Sequence, residues 1–170
     1  MEYATRYPDK VSSLILTGSY PPTETAFLEG MDRHRQRISQ LQGEGFIVEG
    51  LPGSGVSLME ATLPAHFSDP AFEFPFRDVL APSYNYQASD NTWLALRGYD
   101  LTAGLSTLEL PVLILWGEDD SFGLLTAVAT RDSLSAAGVQ FELLANCGHF
   151  WHECPQTFYP LLKSFLALPE

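Results

Sequence analysis

The sequence predicts an α/β fold: parallel strands with helices on both faces, and a mostly helical insertion in the middle of the chain. Three observations carry that expectation. Residues 112–116 (Val-Leu-Ile-Leu-Trp) form an unbroken apolar run, the pattern of a strand buried on both faces. Strand-like and helix-like stretches alternate toward both chain ends, which favours right-handed crossovers between parallel strands. Between about residues 22 and 105 that rhythm breaks into scattered glycines, prolines and aromatics.

The elements follow in chain order. Residues 11–17 (Val-Ser-Ser-Leu-Ile-Leu-Thr) read as a strand, closed by a turn at Gly18-Ser19-Tyr20-Pro21-Pro22. Thr25 to Gln42 reads as a helix stopped by Gly43. The cluster Gly50-Leu51-Pro52-Gly53-Ser54-Gly55 reads as a flexible connection, because it has neither the Lys-Ser/Thr of a phosphate loop nor a preceding strand. Pro111 opens the central strand, where a missing donor is tolerated. Leu124 to Ala136 reads as a helix, with Gly138 as its stop. Residues 139–145 (Val-Gln-Phe-Glu-Leu-Leu-Ala) begin with alternation and suit a strand nearer an edge. Phe158, Leu161, Leu162, Phe165 and Leu166 then lie on one face of a last helix. Pro160 belongs in a first turn, which places the start of that helix near Thr157.

Bulk composition narrows the function. The chain is 45% hydrophobic and 12% aromatic, enough for a packed core. Its net charge is -12, with nine Lys plus Arg against 21 acids, which argues against nucleic acid and against anionic membranes as partners. The N-terminus lacks the apolar segment of a signal peptide, and no run approaches the roughly 18 apolar residues of a membrane span. Two cysteines make no disulfide framework, so a reducing cytoplasm is the expected location.

Chemistry-bearing residues concentrate in Cys147-Gly148-His149-Phe150-Trp151-His152-Glu153-Cys154. Cys147, His149, His152 and Cys154 are all possible zinc ligands, but their spacing matches no zinc motif, and metal and cofactor are both expected to be absent. A Cys147–Cys154 disulfide is the lesser alternative. A third reading joins two distant places. Gly117-Glu118-Asp119-Asp120 follows one strand and Gly148-His149 follows the next, so in a parallel sheet an acid and a histidine meet at one rim. Such a pair is the orienting half of a nucleophile–histidine–acid system. On spacing alone, an Asp that caps a helix and an idle loop His stand level with it.

Three stretches together resemble the α/β-hydrolase superfamily. Tyr3 to Ser19 resembles the helix and strand after the nucleophile elbow; Leu108 to Phe122 resembles the strand bearing the acid; Ala145 to Leu166 resembles the strand end with Gly-His and the last helix. The resemblance implies the C-terminal portion of that fold, with residues 1–21 and 106–170 as core and 22–105 as cap or lid. It implies Asp120, rather than its neighbour Asp119, as the orienting acid and His149 as the general base, with His152 in packing or capping. The family's Gly-x-Ser-x-Gly elbow occurs nowhere in the sequence. The chain is therefore expected to carry acid and base without nucleophile or oxyanion hole. When complete, the activity implied is serine-type hydrolysis of a small ester, an amide or a short peptide. A faint likeness of Gly98 to Asp120 to prolyl aminopeptidases tilts it toward peptidase or esterase. The alternative is a non-catalytic binding module, or a fragment, that kept the fold. The strand at 11–17 is expected to expose an edge that invites self-association or an N-terminal half.

Overall fold

The computed structural model describes residues 1–47, 58–79, 85–134 and 138–166. The glycine cluster at 50–55 lies outside them. Three parallel strands form the sheet in the order β1 (Leu14–Thr17), β2 (Val112–Gly117), β3 (Val139–Leu144). Leu14 pairs with Val112, and Val112 with Val139. Every residue of β2 is buried, as its apolar run requires. β3 alternates at its start and lies at the side of the sheet, as expected. β1 is shorter than the expected 11–17; it enters the ladder where the Leu14 N–H bonds the Pro111 carbonyl (2.9 Å).

The alternation along β2 divides the core into two layers. Val112, Ile114 and Trp116 pack with Ala4, Leu105, Leu108 and Ala127 on one face. Leu113 and Leu115 pack with Leu144, Phe158 and Phe165 on the other. The first face is covered by α1 (Glu2–Arg6), α5 (Thr102–Leu105) and α6 (Leu124–Asp132). The second is covered by α7 (Pro155–Leu166). Residues 135–137 of the expected helix 124–136 lie outside the described region.

α7 begins at Pro155, two residues before the expected start, so Pro160 falls inside the helix. Pro160 lies on the exposed side. There a carbonyl that loses its N–H partner can face water, which lowers the cost of an interior proline.

The middle region contains α2 (Glu24–Gly43), α3 (Leu58–Thr62), a 3-10 turn (Leu63–His66) and α4 (Tyr86–Ala95). Thr23 caps α2, its hydroxyl accepting from the Ala26 N–H at 3.2 Å. The region leaves and rejoins the sheet at one place. Thr23 and Asp100 form an antiparallel bridge, and the Leu101 N–H bonds the Pro22 carbonyl at 2.9 Å. Among the described residues no helix is long and apolar enough to cross a membrane.

Candidate active site

β2 and β3 run parallel and end together, with Gly117 opposite Leu144. The loops after them are therefore neighbours, and backbone bonds lock them. The Glu118 N–H bonds the Leu144 carbonyl and the Asp119 N–H bonds the Cys147 carbonyl, each at 3.0 Å. This brings Asp120 and His149 together. His149 Nδ1 lies 3.0 Å from Asp120 Oδ2. The Asp120 side chain is fully buried, whereas that of His149 keeps 20% exposure. A carboxylate can only accept, so Nδ1 carries the proton and Nε2 is the basic nitrogen. Asp120 Oδ1 accepts from the Phe122 N–H at 2.9 Å, which fixes the carboxyl plane.

Asp119 turns elsewhere. Its Oδ2 accepts from the Ser68 hydroxyl at 2.7 Å. The two adjacent acids thus have separate partners, and only Asp120 addresses the imidazole. The His149 ring is backed by Gly18, in the turn just after β1. Gly18 has φ +47, and a Cβ there would lie 2.8 Å from the His149 carbonyl oxygen and 3.1 Å from its Cε1. A side chain at Gly18 would displace the imidazole. Gly148 is pressed against the His66 and Phe67 backbone, where a Cβ has no room.

Cys147 and Cys154 are bonded to each other, with Cα atoms 5.7 Å apart. This is the pairing that the sequence left as the lesser alternative. The loop doubles back through a turn at Trp151–Glu153, where the Cys154 N–H bonds the Trp151 carbonyl at 3.0 Å. That reversal brings the two Cα atoms into disulfide range. Neither sulfur is then a thiolate able to bind zinc. His152 packs, as expected: it stacks on Trp151 with ring centroids 4.0 Å apart and meets the edges of Phe74 and Phe76. Burial lowers its pKa.

Two further histidines reach the site from the middle region, and sequence reasoning missed both. His34 on α2 stacks on Phe122, ring centroids 4.4 Å apart, with Nδ1 2.7 Å from the Ser121 hydroxyl oxygen. His66 lies between His34 and His149, at 4.5 and 5.8 Å, and its carbonyl accepts from the His149 N–H at 2.7 Å. Burial pushes His34 down to about 4 and His66 down to about 3, with charge on neighbouring histidines adding to each. Both are therefore neutral near pH 7. Their spacing to Asp120 depends on how the middle region folds, so no sequence interval reveals it. The only sequence signal is that histidine is rare here, four in 170 residues.

No protein-family model matches the chain. It is similar to monoacylglycerol lipase ABHD6 of Homo sapiens, 28% identical over 181 residues, and of Bos taurus, 30% identical over 187 residues. Each alignment takes in 97% of this chain and 50% of the relative, so the chain spans about half the length of the curated relatives it matches. Among solved structures it resembles a proline iminopeptidase of Mycobacterium smegmatis, with TM-score 0.63, 18% identity, and coverage of 97% of this chain and 60% of that one. A parallel sheet covered by helices on both faces, matching part of these longer chains, is a partial α/β-hydrolase fold. The chain therefore resembles α/β-hydrolases in sequence and has part of their fold.

Proposed function

We propose that this chain supplies the acid and base of a serine-type hydrolase that acts on a small ester, an amide or a short peptide. The observation that carries it is the 3.0 Å bond from His149 Nδ1–H to a buried Asp120 carboxylate. In this reading Asp120 fixes the tautomer and stabilises the imidazolium. His149 Nε2 takes the proton of an attacking hydroxyl and returns it to the leaving group. The nucleophile is a serine outside these 170 residues, because no Gly-x-Ser-x-Gly lies within them.

Residues 22–105, apart from α5, which packs on the sheet, act as the cap. Their two ends meet at the Thr23–Asp100 bridge, and they lay His34, His66 and Phe67 over the strand ends. The ABHD6 relatives are named as lipases and the structural neighbour as a peptidase. Ester and amide are therefore both kept, with a small-molecule substrate in either case. β1 pairs only with β2 among the described residues, so its other edge takes an N-terminal half or a second copy.

The test uses 4-nitrophenyl acetate. The chain alone turns it over no faster than His149→Ala. Joined behind a segment that bears the serine elbow, it gains activity, and Asp120→Asn then lowers kcat by about 10⁴-fold. Turnover by the chain alone that His149→Ala abolishes would place the nucleophile inside it. Activity of the joined protein that survives His149→Ala would sink the base assignment.

A further inference from the structure

We infer that Glu153 is a positioning residue that clasps the His149 loop to the 66–69 segment of the middle region, so that the base is held ready only when that segment is seated. Its carboxylate does not cap the adjacent α7. Oε2 accepts from the Gly148 N–H at 2.8 Å and from the Ser68 N–H at 2.9 Å. Oε1 accepts from the Asp69 N–H at 3.0 Å. One half-buried side chain thus ties the residue before His149 to two residues from the far side of the site. The tie is reinforced in both directions. The His149 N–H bonds the His66 carbonyl at 2.7 Å, and the Ser68 hydroxyl bonds Asp119, next to the acid, at 2.7 Å.

Geometry explains why a carboxylate is needed. Three N–H donors converge on it: Oε2 joins the two segments and Oε1 takes the third donor, so both oxygens must accept. A glutamine in its place offers one oxygen and a donor that faces an N–H. The Cys147–Cys154 bond closes the loop covalently but makes no link to residues 66–69. Beside the direct His149 N–H to His66 carbonyl bond, Glu153 is therefore the side chain through which movement of residues 68–69 reaches Gly148 and the imidazole. Histidine, acid and clasp form one unit in which seating the cap sets the orientation of the base.

The inference rests on the reading of His149 as a base, and the experiment separates the two. In the full chain, proton NMR follows the His149 Nδ1–H signal, and diethyl pyrocarbonate with mass mapping follows the reactivity of His149 against His152. The Glu153→Gln and Glu153→Ala variants are expected to speed amide exchange at Gly148, Ser68 and Asp69 at least tenfold. They are also expected to weaken or abolish the Nδ1–H signal and to change His149 carbethoxylation at least fivefold, with the β2 amides still protected. Faster exchange with an unchanged His149 signal and reactivity would leave Glu153 merely structural and overturn the inference. Glu153→Gln preserves size and serves if Glu153→Ala fails to fold. Asp120→Asn is run beside them. If it leaves the His149 signal and reactivity unaltered, the base reading fails, and the clasp as a positioning device fails with it.

Discussion

The sheet framework and the middle region are held by different forces. β2 is sealed by apolar side chains on both faces, Val112, Ile114 and Trp116 against one layer and Leu113 and Leu115 against the other. Where the middle region touches the strand ends, polar links recur: His34 to Ser121, Ser68 to Asp119, and the Ser68 and Asp69 N–H groups to Glu153. Apolar burial is non-directional and tolerates small shifts. Polar links are directional and demand fixed geometry, and the part-buried ones, His34 to Ser121 and Ser68 N–H to Glu153, carry a penalty when a partner is lost. The framework therefore supplies most of the stability, and the polar seam supplies the arrangement of the site.

Acid breaks the seam most strongly. His34 and His66 have folded pKa values of about 4 and about 3, below the ordinary 6.5 of an unfolded chain. The unfolded state therefore binds more protons through the window between those values. Their contribution is present above about pH 6.5 and is lost as pH falls. Linkage gives about 2 kcal/mol per histidine between pH 7 and pH 5. The groups that bear on His34 are His149, Asp120 and Arg35, and those on His66 are the other two site histidines. Unfolding free energies from urea titrations at the two pH values are expected to differ by up to about 4 kcal/mol in the wild type. In the double variant His34→Gln/His66→Gln, which cannot titrate there, that difference should largely vanish.

A framework substitution sharpens the contrast. Ile114 is fully buried in the central strand. Ile114→Ala is expected to cost about 3 kcal/mol through lost transfer energy and a residual cavity. This loss should be the same at pH 7 and pH 5, because no titrating group is involved. A cost that grew at low pH would show that seam and framework do not act separately.

The joint between the regions is the loop closed by Cys147–Cys154, whose sequence separation is 7. Closing so short a loop restricts the unfolded chain by about 2.5 kcal/mol in the chain-entropy account. Cys147→Ser/Cys154→Ser is expected to lower the unfolding free energy from urea titration by about that amount. Dithiothreitol on the wild type should reproduce the loss and have no effect on the variant.

This division also explains what was legible in the sequence. β2 announces itself because each of its residues is apolar, and β3 through its alternation. The meeting of Asp120 and His149 follows from topology, since parallel neighbours end at one rim, and the spacing of the two loops survives in one dimension. Asp119 and Asp120 differ only in which way each side chain turns, and the family resemblance rather than any local pattern separates them. His34, His66 and the Glu153 clasp were illegible, because their contacts join segments about 30 to 90 residues apart through an irregular region. The disulfide stood only as the lesser alternative for a nearer reason: the reversal at 151–153 is a tertiary packing event around Trp151 and Phe158. The two-residue error at the start of α7 came from applying an interior-proline rule to an exposed position.

The smallest effect tests whether α2 is positioned from its end or by its packing. α2 carries His34 to the site, and its first turn is closed by the Thr23 hydroxyl, which accepts from the Ala26 N–H at 3.2 Å. Thr23 also sits in the bridge to Asp100, where the middle region meets the framework. Thr23→Ala removes the cap and keeps the backbone bridge, so its cost is expected near 1 kcal/mol, and Thr23→Ser is expected to restore nearly all of it. A local effect of this kind frays the first turn and stops before His34, about three turns further on. His34 carbethoxylation should then be unchanged in Thr23→Ala. If it rises, α2 is held from its capped end, and the seam at Ser121 depends on that end as well as on the Phe122 stack.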